Sequence, residues 1–279
     1  MNTRRRLIGI DFSGAADAGK AIWIAEARAT PAGVRVTDLR SVADRFGERD
    51  RDAAIRALRE FIADARSAVV GIDAPFSLPK DLIEGDDWRE WCAGYAGRYA
   101  DAEDLRERAL ERAGGKELKR RCERDAKTPF SAYNLRLYRQ THHLLAGVLA
   151  PLVAEQRACA LPMQHRRDDL PDDTPWLLET CPASTIKRLA SEDATVVASA
   201  YKGAKPAQAH ARRRLASFLR ERRLVEWDGE LEETCAANAG GDAVDACLCA
   251  FAVRRAVARP ESLHCESDAD AAIEGRVYT

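Results

Sequence analysis

Three short apolar runs in this chain each stop on a carboxylate: Arg6 to Phe12 contains Asp11, Ala68 to Asp73 ends on Asp73, and Trp176-Leu177-Leu178 ends on Glu179. An apolar run of four to eight residues bounded by turn formers fits a strand buried on both faces. A charge inside such a setting is costly unless it is paired or holds a cation. If the strands are parallel, their carboxyl ends lie along one edge, which is where open α/β sheets carry their sites. Residues far apart in sequence thereby become neighbours.

The rest of the pattern supplies the remaining sheet and its cover. Ala21 to Ala27 and Val34 to Leu39, separated by Pro31 and Gly33, complete a three-stranded antiparallel meander with the first run. Ile55, Leu58, Phe61 and Ile62 fall at helical spacing before the Ala68–Asp73 strand, so that strand is expected to return parallel to the first. Residues 75–175 read as a charge-rich helical insertion with no convincing strand, its clearest member a helix over 133–156 bent near Pro151. Helices follow over 183–189, 206–223 and 242–258, and the tail 273–278 reads as an edge strand. The expected fold class is thus one α/β domain: an antiparallel meander plus parallel strands in a mixed sheet, flanked by helices, with a large helical insertion.

Asp242 and Asp245 stand at i and i+3 after the Gly240-Gly241 breaker, so a helix starting there projects both from its first turn toward the same edge. Asp242 could also be only an N-cap. Any one of these acids, taken singly, caps a helix or bonds a turn more often than it does chemistry. Together, Asp11, Asp73, Glu179, Asp242 and Asp245 would repel one another without a countercharge. A set of carboxylates with no nearby His or Cys favours Mg2+ or Mn2+ over Zn2+. Two such ions clamp an in-line phosphoryl displacement, so phosphodiester hydrolysis is the chemistry most natural to the set.

Five segments carry a resemblance. Gly9-Ile10-Asp11-Phe12-Ser13, Val70-Gly71-Ile72-Asp73-Ala74-Pro75, Ala126 to Asn134, Leu178-Glu179-Thr180-Cys181-Pro182-Ala183 and Gly241-Asp242-Ala243-Val244-Asp245-Ala246 occur in that order. They resemble the domain of unknown function 429 family of predicted nucleases, which is assigned to the RNase H-like superfamily with a Holliday-junction-resolvase type of acidic site. The resemblance implies an RNase H-like fold and a metal-dependent nuclease. In it the first-strand Asp matches Asp11, the second acid is either Asp73 or Glu179, and the closing helix pair matches Asp242 and Asp245. The block between Asp73 and Glu179 is longer and more helical than that superfamily core needs.

Supporting residues are less specific. Lys202 is the best candidate to meet a phosphate as a point charge. Arg212, Arg213, Arg214, Arg220, Arg222 and Arg223 make one basic face, and Arg120, Arg121, Arg124 and Lys127 a second, either of which could follow a nucleic-acid backbone or simply be solvated. Trp91, Phe130, Tyr133 and Tyr138 could stack bases, although aromatic residues at helical spacing are usually core. His142-His143 could supply a base, with one ring packed and the other in water; His165 and His264 in polar loops carry little signal.

Composition bounds the remaining classes. In 279 residues, 46% hydrophobic and 32% charged content excludes a disordered or fibrous chain. A net charge of −1 lacks the positive field of a nucleic-acid coat protein, so a DNA or RNA partner must be gripped locally. No apolar run approaches a membrane span, and the basic start Met1 to Arg6 is followed by an apolar stretch that stops at Asp11 without a cleavage site, so the expectation is a cytoplasmic protein with no membrane partner. Eight cysteines without a Cys-x-x-Cys pair read as buried reduced thiols. Two other functions stay open: a sugar-kinase or actin-like phosphotransferase or ATPase, suggested by Asp11-Phe12-Ser13-Gly14, and a non-catalytic nucleic-acid-binding protein whose acids hold a structural ion.

Overall fold

The computed structural model describes residues 6–164, 170–196, 200–265 and 268–279. Its chain opens with β1 (Leu7–Asp11), β2 (Trp23–Ala29) and β3 (Val34–Ser41), an antiparallel meander in which Asp11 pairs with Trp23 and Ala29 with Val34. Helix α1 (Arg51–Asp64), capped by the Asp50 carboxylate on the Asp52 and Ala53 amides, carries the chain back to β4 (Val69–Asp73). β4 runs parallel to β1 in a register that sets Asp73 beside Asp11.

The region between β4 and the next long strand departs from expectation in two respects. It contains a strand, β5 (Cys159–Leu161), whose three residues are too few for periodicity to separate from a helix end. The expected long helix begins at Tyr138, five residues late, because the Asn134 side chain accepts from the Arg136 amide and holds residues 134–137 in a turn. Leu135 is left 66% exposed as a result. The helix proper, α2 (Tyr138–Leu144), continues through a π turn (Leu145–Leu149) and a last helical piece, Ala150–Ala154. Gly147 in that π turn meets α1 so closely that a Cβ there would lie 2.5 Å from Ile55 Cγ2.

After β6 (Trp176–Thr180) come α3 (Pro182–Glu192), α4 (Pro206–Glu221), β7 (Val225–Glu226), α5 (Gly229–Ala237) and α6 (Asp242–Val257). The expected tail strand is shorter than the sequence suggested. Ala269–Glu274 is a helix that ends at Gly275, whose φ of +81° lies in the left-handed region, and only Val277–Tyr278 forms a strand, β8. The eight-stranded sheet has the order β5-β6-β4-β1-β2-β3-β7, with β8 pairing the end of β6. It is a mixed α/β sheet flanked by helices, consistent with an RNase H-like α/β fold.

Two hydrophobic clusters sandwich the sheet. Ile8, Ile10, Val70, Ile72 and Leu177 face α1 and the helices of the 75–175 block, whereas Leu7, Val69 and Leu178 face α6 and its neighbours. Both faces of β1 are covered, which explains why its burial is continuous rather than alternating. Among the described residues, no helix is long and apolar enough to cross a membrane.

Candidate metal centre

The acidic site exists because α6 lies directly on the backbone of β1 and β4. A Cβ at Gly9 would fall 2.0 Å from the Ala246 carbonyl oxygen, and one at Gly71 would fall 2.5 Å from Val253 Cγ2. Only glycine permits so close an approach, and the first turn of α6 is thereby delivered to the ends of the two strands. One oxygen each from Asp11, Asp73 and Asp245 lies within 4.8 Å of the others. Asp11 is 6% exposed and Asp245 1%.

Burial, then the Asp245 carboxylate, pushes Asp11 well above the usual carboxylate range, with Lys202 pulling the other way. The same two causes push Asp73 up to about 7, opposed by Lys202 and by a hydrogen bond from Asp11. Burial also raises Asp242, which is half-buried and within hydrogen-bonding reach of Asp11 and Asn238. Burial and the neighbouring carboxylates thus work against the ionised form of Asp11, and of Asp73 beside it, when no cation is bound.

Asp245 is oriented by the preceding loop. Tyr201 donates its hydroxyl to Asp245 Oδ1 at 2.6 Å. Oδ2 has Lys202 Nζ 2.5 Å away yet makes no hydrogen bond of good geometry and is shut off from solvent. Burial opposes the Lys202 charge, but Asp245 and Asp11 hold its ammonium above the ordinary range. The loop owes its position to Arg212. Instead of lying on a solvated basic face, this side chain is buried and donates to the carbonyls of Tyr201 and Gly203 at 2.7 Å and of Ala236 at 3.0 Å. Arg213 and Arg214 are exposed, and Arg220 and Arg222 pair with Glu232 and Asp193.

Glu179 sits at the same edge but on the other side of the sheet. It is in register with Ile72, not Asp73, so strand alternation turns it toward the 75–175 block. There Arg120 grips it with both guanidinium ends, Nη1 to Oε2 at 2.8 Å and Nη2 to Oε1, while the Phe76 amide donates to Oε2 at 2.8 Å. Arg120, expected on an exposed basic stretch, is fully buried. Its charge stays on because Glu179 and Glu123 outweigh the burial that works against it.

A cleft of about 310 Å3 opens on this edge. Asp73, Asp245, Lys202 and Glu179 line it, and Pro129, Phe130 and Leu137 add apolar surface. Gln140 of α2 ties that surface to the strands by donating to the Phe12 carbonyl at 2.8 Å and to the Asp73 carbonyl. Trp91, Tyr133 and Tyr138 are core; of the four aromatic candidates only half-buried Phe130 borders the cleft. His142 is packed against the Tyr95 hydroxyl, and half-buried His143 is pushed down to about 4 by burial and Arg51, so neither ring stands in water as a base. His165 lies outside the described residues, and His264 is exposed.

Tyr201, Arg120, Arg212 and Gln140 escaped sequence reasoning in these roles. Tyr201 had one signal, its place beside Lys202; the two arginines sit in charged stretches where nothing marks one residue as buried.

The molecule is a mixed α/β protein with a buried acidic cluster able to hold a metal ion. Residues 9–271 match the family model described as Protein of unknown function (DUF429), and the chain belongs to that family. No curated protein and no solved structure matches it.

Proposed function

We propose that this protein is a Mg2+- or Mn2+-dependent nuclease of RNase H-like type that hydrolyses phosphodiester bonds in DNA or RNA. The observation that carries this reading is the meeting of Asp11, Asp73 and Asp245 oxygens, from two strand ends and a helix start, with Lys202 as the cation drawn to them. The donor set fits a hard divalent cation: all its atoms are oxygen, and buried Asp245 Oδ2 is met only by the half-exposed Lys202 ammonium. When bound, such an ion supplies positive charge to a phosphate and acidifies water.

The chain's own groups supply the rest. Asp11, Asp73 and Asp245 hold the ion, and Asp242, beside Asp11, adds negative charge. Tyr201 fixes the rotamer of Asp245. Lys202, whose side chain is half exposed, can turn from Asp245 to a phosphate oxygen without leaving the cleft. Phe130 offers a nucleobase an apolar face. The free cysteines are in keeping with a cytoplasmic setting.

One feature speaks against the phosphotransferase alternative. The turn after β1 would have to admit a phosphate, but α2 closes it: a Cβ on Gly14 would lie 2.8 Å from the Arg139 carbonyl oxygen. The test is a panel of end-labelled single-stranded, duplex and branched DNA and RNA incubated with the full chain, in Mn2+ and in chelator. Cleavage in Mn2+ alone, lost in Asp73→Asn and Asp245→Asn, is the expected result. An intact panel, or cleavage that survives both substitutions, overturns the proposal.

A further inference from the structure

Five acids were expected around two ions, and the structure divides them differently. We infer that the centre takes one divalent cation per chain, on Asp11, Asp73 and Asp245, and that the Arg120 guanidinium permanently holds the place at Glu179 that a second cation would need. This rests on the metal-dependent reading above and concerns the number of ions and the part played by Arg120.

The size of the cluster suits a single ion. Around a Mg2+-sized cation with oxygens at about 2.1 Å, neighbouring ligands stand about 3 Å apart and opposite ones about 4.2 Å. Three oxygens within 4.8 Å of one another need only a small contraction to reach that shell. Asp242 stands outside this trio, and among the described residues no other group of three acidic, His or Cys ligands comes together. A second ion would have to draw on half-buried Asp242 beside Asp11, a single further carboxylate, or on Glu179.

Glu179 is already committed. Strand register turns it to the opposite face, and both of its oxygens accept from Arg120, one of them also from the Phe76 amide. Arg120 cannot swing aside to free it. Its Nη1 also donates to the Glu274 carbonyl at 2.9 Å, its Nε to Glu123 Oε1 at 3.0 Å, and its backbone amide to Glu123 Oε2 at 2.9 Å. The side chain is fully buried, so breaking these bonds would strand a charge away from water. A fixed positive charge thus stands beside Glu179 in the lining of the cleft, and it cannot be removed by a chelator.

The experiment is a calorimetric titration of the purified, metal-stripped full chain with Mn2+, cross-checked by counting bound Mn2+ from its paramagnetic resonance signal. One ion per wild-type chain is expected. Asp73→Asn should weaken binding at least tenfold, and Glu179→Gln should leave number and affinity within about twofold. Two ions per wild-type chain, or an ion lost in folded Glu179→Gln, overturns the inference while leaving the nuclease reading in place. No bound ion in the wild type removes both. If Glu179→Gln does not fold, the wild-type count alone decides.

Discussion

The two sides of one sheet edge hold acids in opposite conditions. On the α6 side, Asp11, Asp73 and Asp245 crowd together with Lys202 beside them, and the first two are pushed toward protonation. On the other side, Glu179 and Glu123 enclose a buried arginine whose donors are all used. Compensated charge belongs to the scaffold, because its removal leaves a buried partner unpaired. Three carboxylates facing one lysine are only partly compensated, and on the proposed function a cation would complete the balance there.

Substitution should separate the two sides sharply. Asp11→Asn should cut metal-dependent cleavage by at least about a thousandfold, which is about 4 kcal/mol in the barrier. The metal-free protein should keep its stability or gain up to about 1 kcal/mol as repulsion is relieved. Cleavage rates and urea midpoints measured on the same preparation check this; a fall in stability would make Asp11 a scaffold residue. Glu179→Ala should do the reverse and cost about 3 kcal/mol or more of stability, since Arg120 would keep Glu123 as its one charged partner beside the Glu274 carbonyl. An unfolding free energy from urea titration within roughly 0.5 kcal/mol of wild type, as expected of a surface change, would remove the distinction between the two sides.

Proton linkage sharpens the comparison further. In chelator, Asp73 binds its proton up to about pH 7 in the folded chain but only to its ordinary 3.8 when unfolded. Between those values the folded state holds the extra proton, so the Asp73 contribution to stability falls as pH rises, by about 1.4 kcal/mol per unit; raised Asp11 acts in the same sense, and His143, held down to about 4, in the opposite one. The Asp73 share, read as the wild-type slope minus that of Asp73→Asn, is a loss of roughly 2 to 3 kcal/mol from pH 5 to 7. Saturating Mn2+ should flatten the slope, because the cation replaces the proton as the stabilising partner; thermal midpoints across that range, with and without Mn2+, measure it. The smallest effect is expected at Leu135, which is exposed and distant in role from both sides: Leu135→Gln should change stability by less than about 0.5 kcal/mol by the same denaturation assay.

The strands were legible where burial on both faces gave continuous apolar runs, and so were the edge at which Asp11 and Asp73 meet and the start of α6 at Asp242. β5 was hidden because three residues carry no period, and the start of α2 was displaced by an Asx turn at Asn134 that competes locally with the helix. The face on which Glu179 emerges was hidden for a different reason. It depends on strand register, and a shift of one residue reverses every side chain. No local pattern reports that Glu179 stands opposite Ile72 instead of Asp73. Likewise, Arg120 and Arg212 look like their solvated neighbours until tertiary contacts enclose them.

The seating of α6 on Gly9 also has a bearing on biosynthesis. Asp11 leaves the ribosome among the first residues of this sequence, whereas Asp245 lies in the last long helix, and the packing of Ala246 on Gly9 is what joins them. A nascent chain that has passed β4 but not reached α6 holds the Asp11 and Asp73 carboxylates yet lacks the third oxygen. The acid cluster is thus withheld until α6 has been made, and a chain broken off before α6 lacks the Asp245 oxygen that completes it.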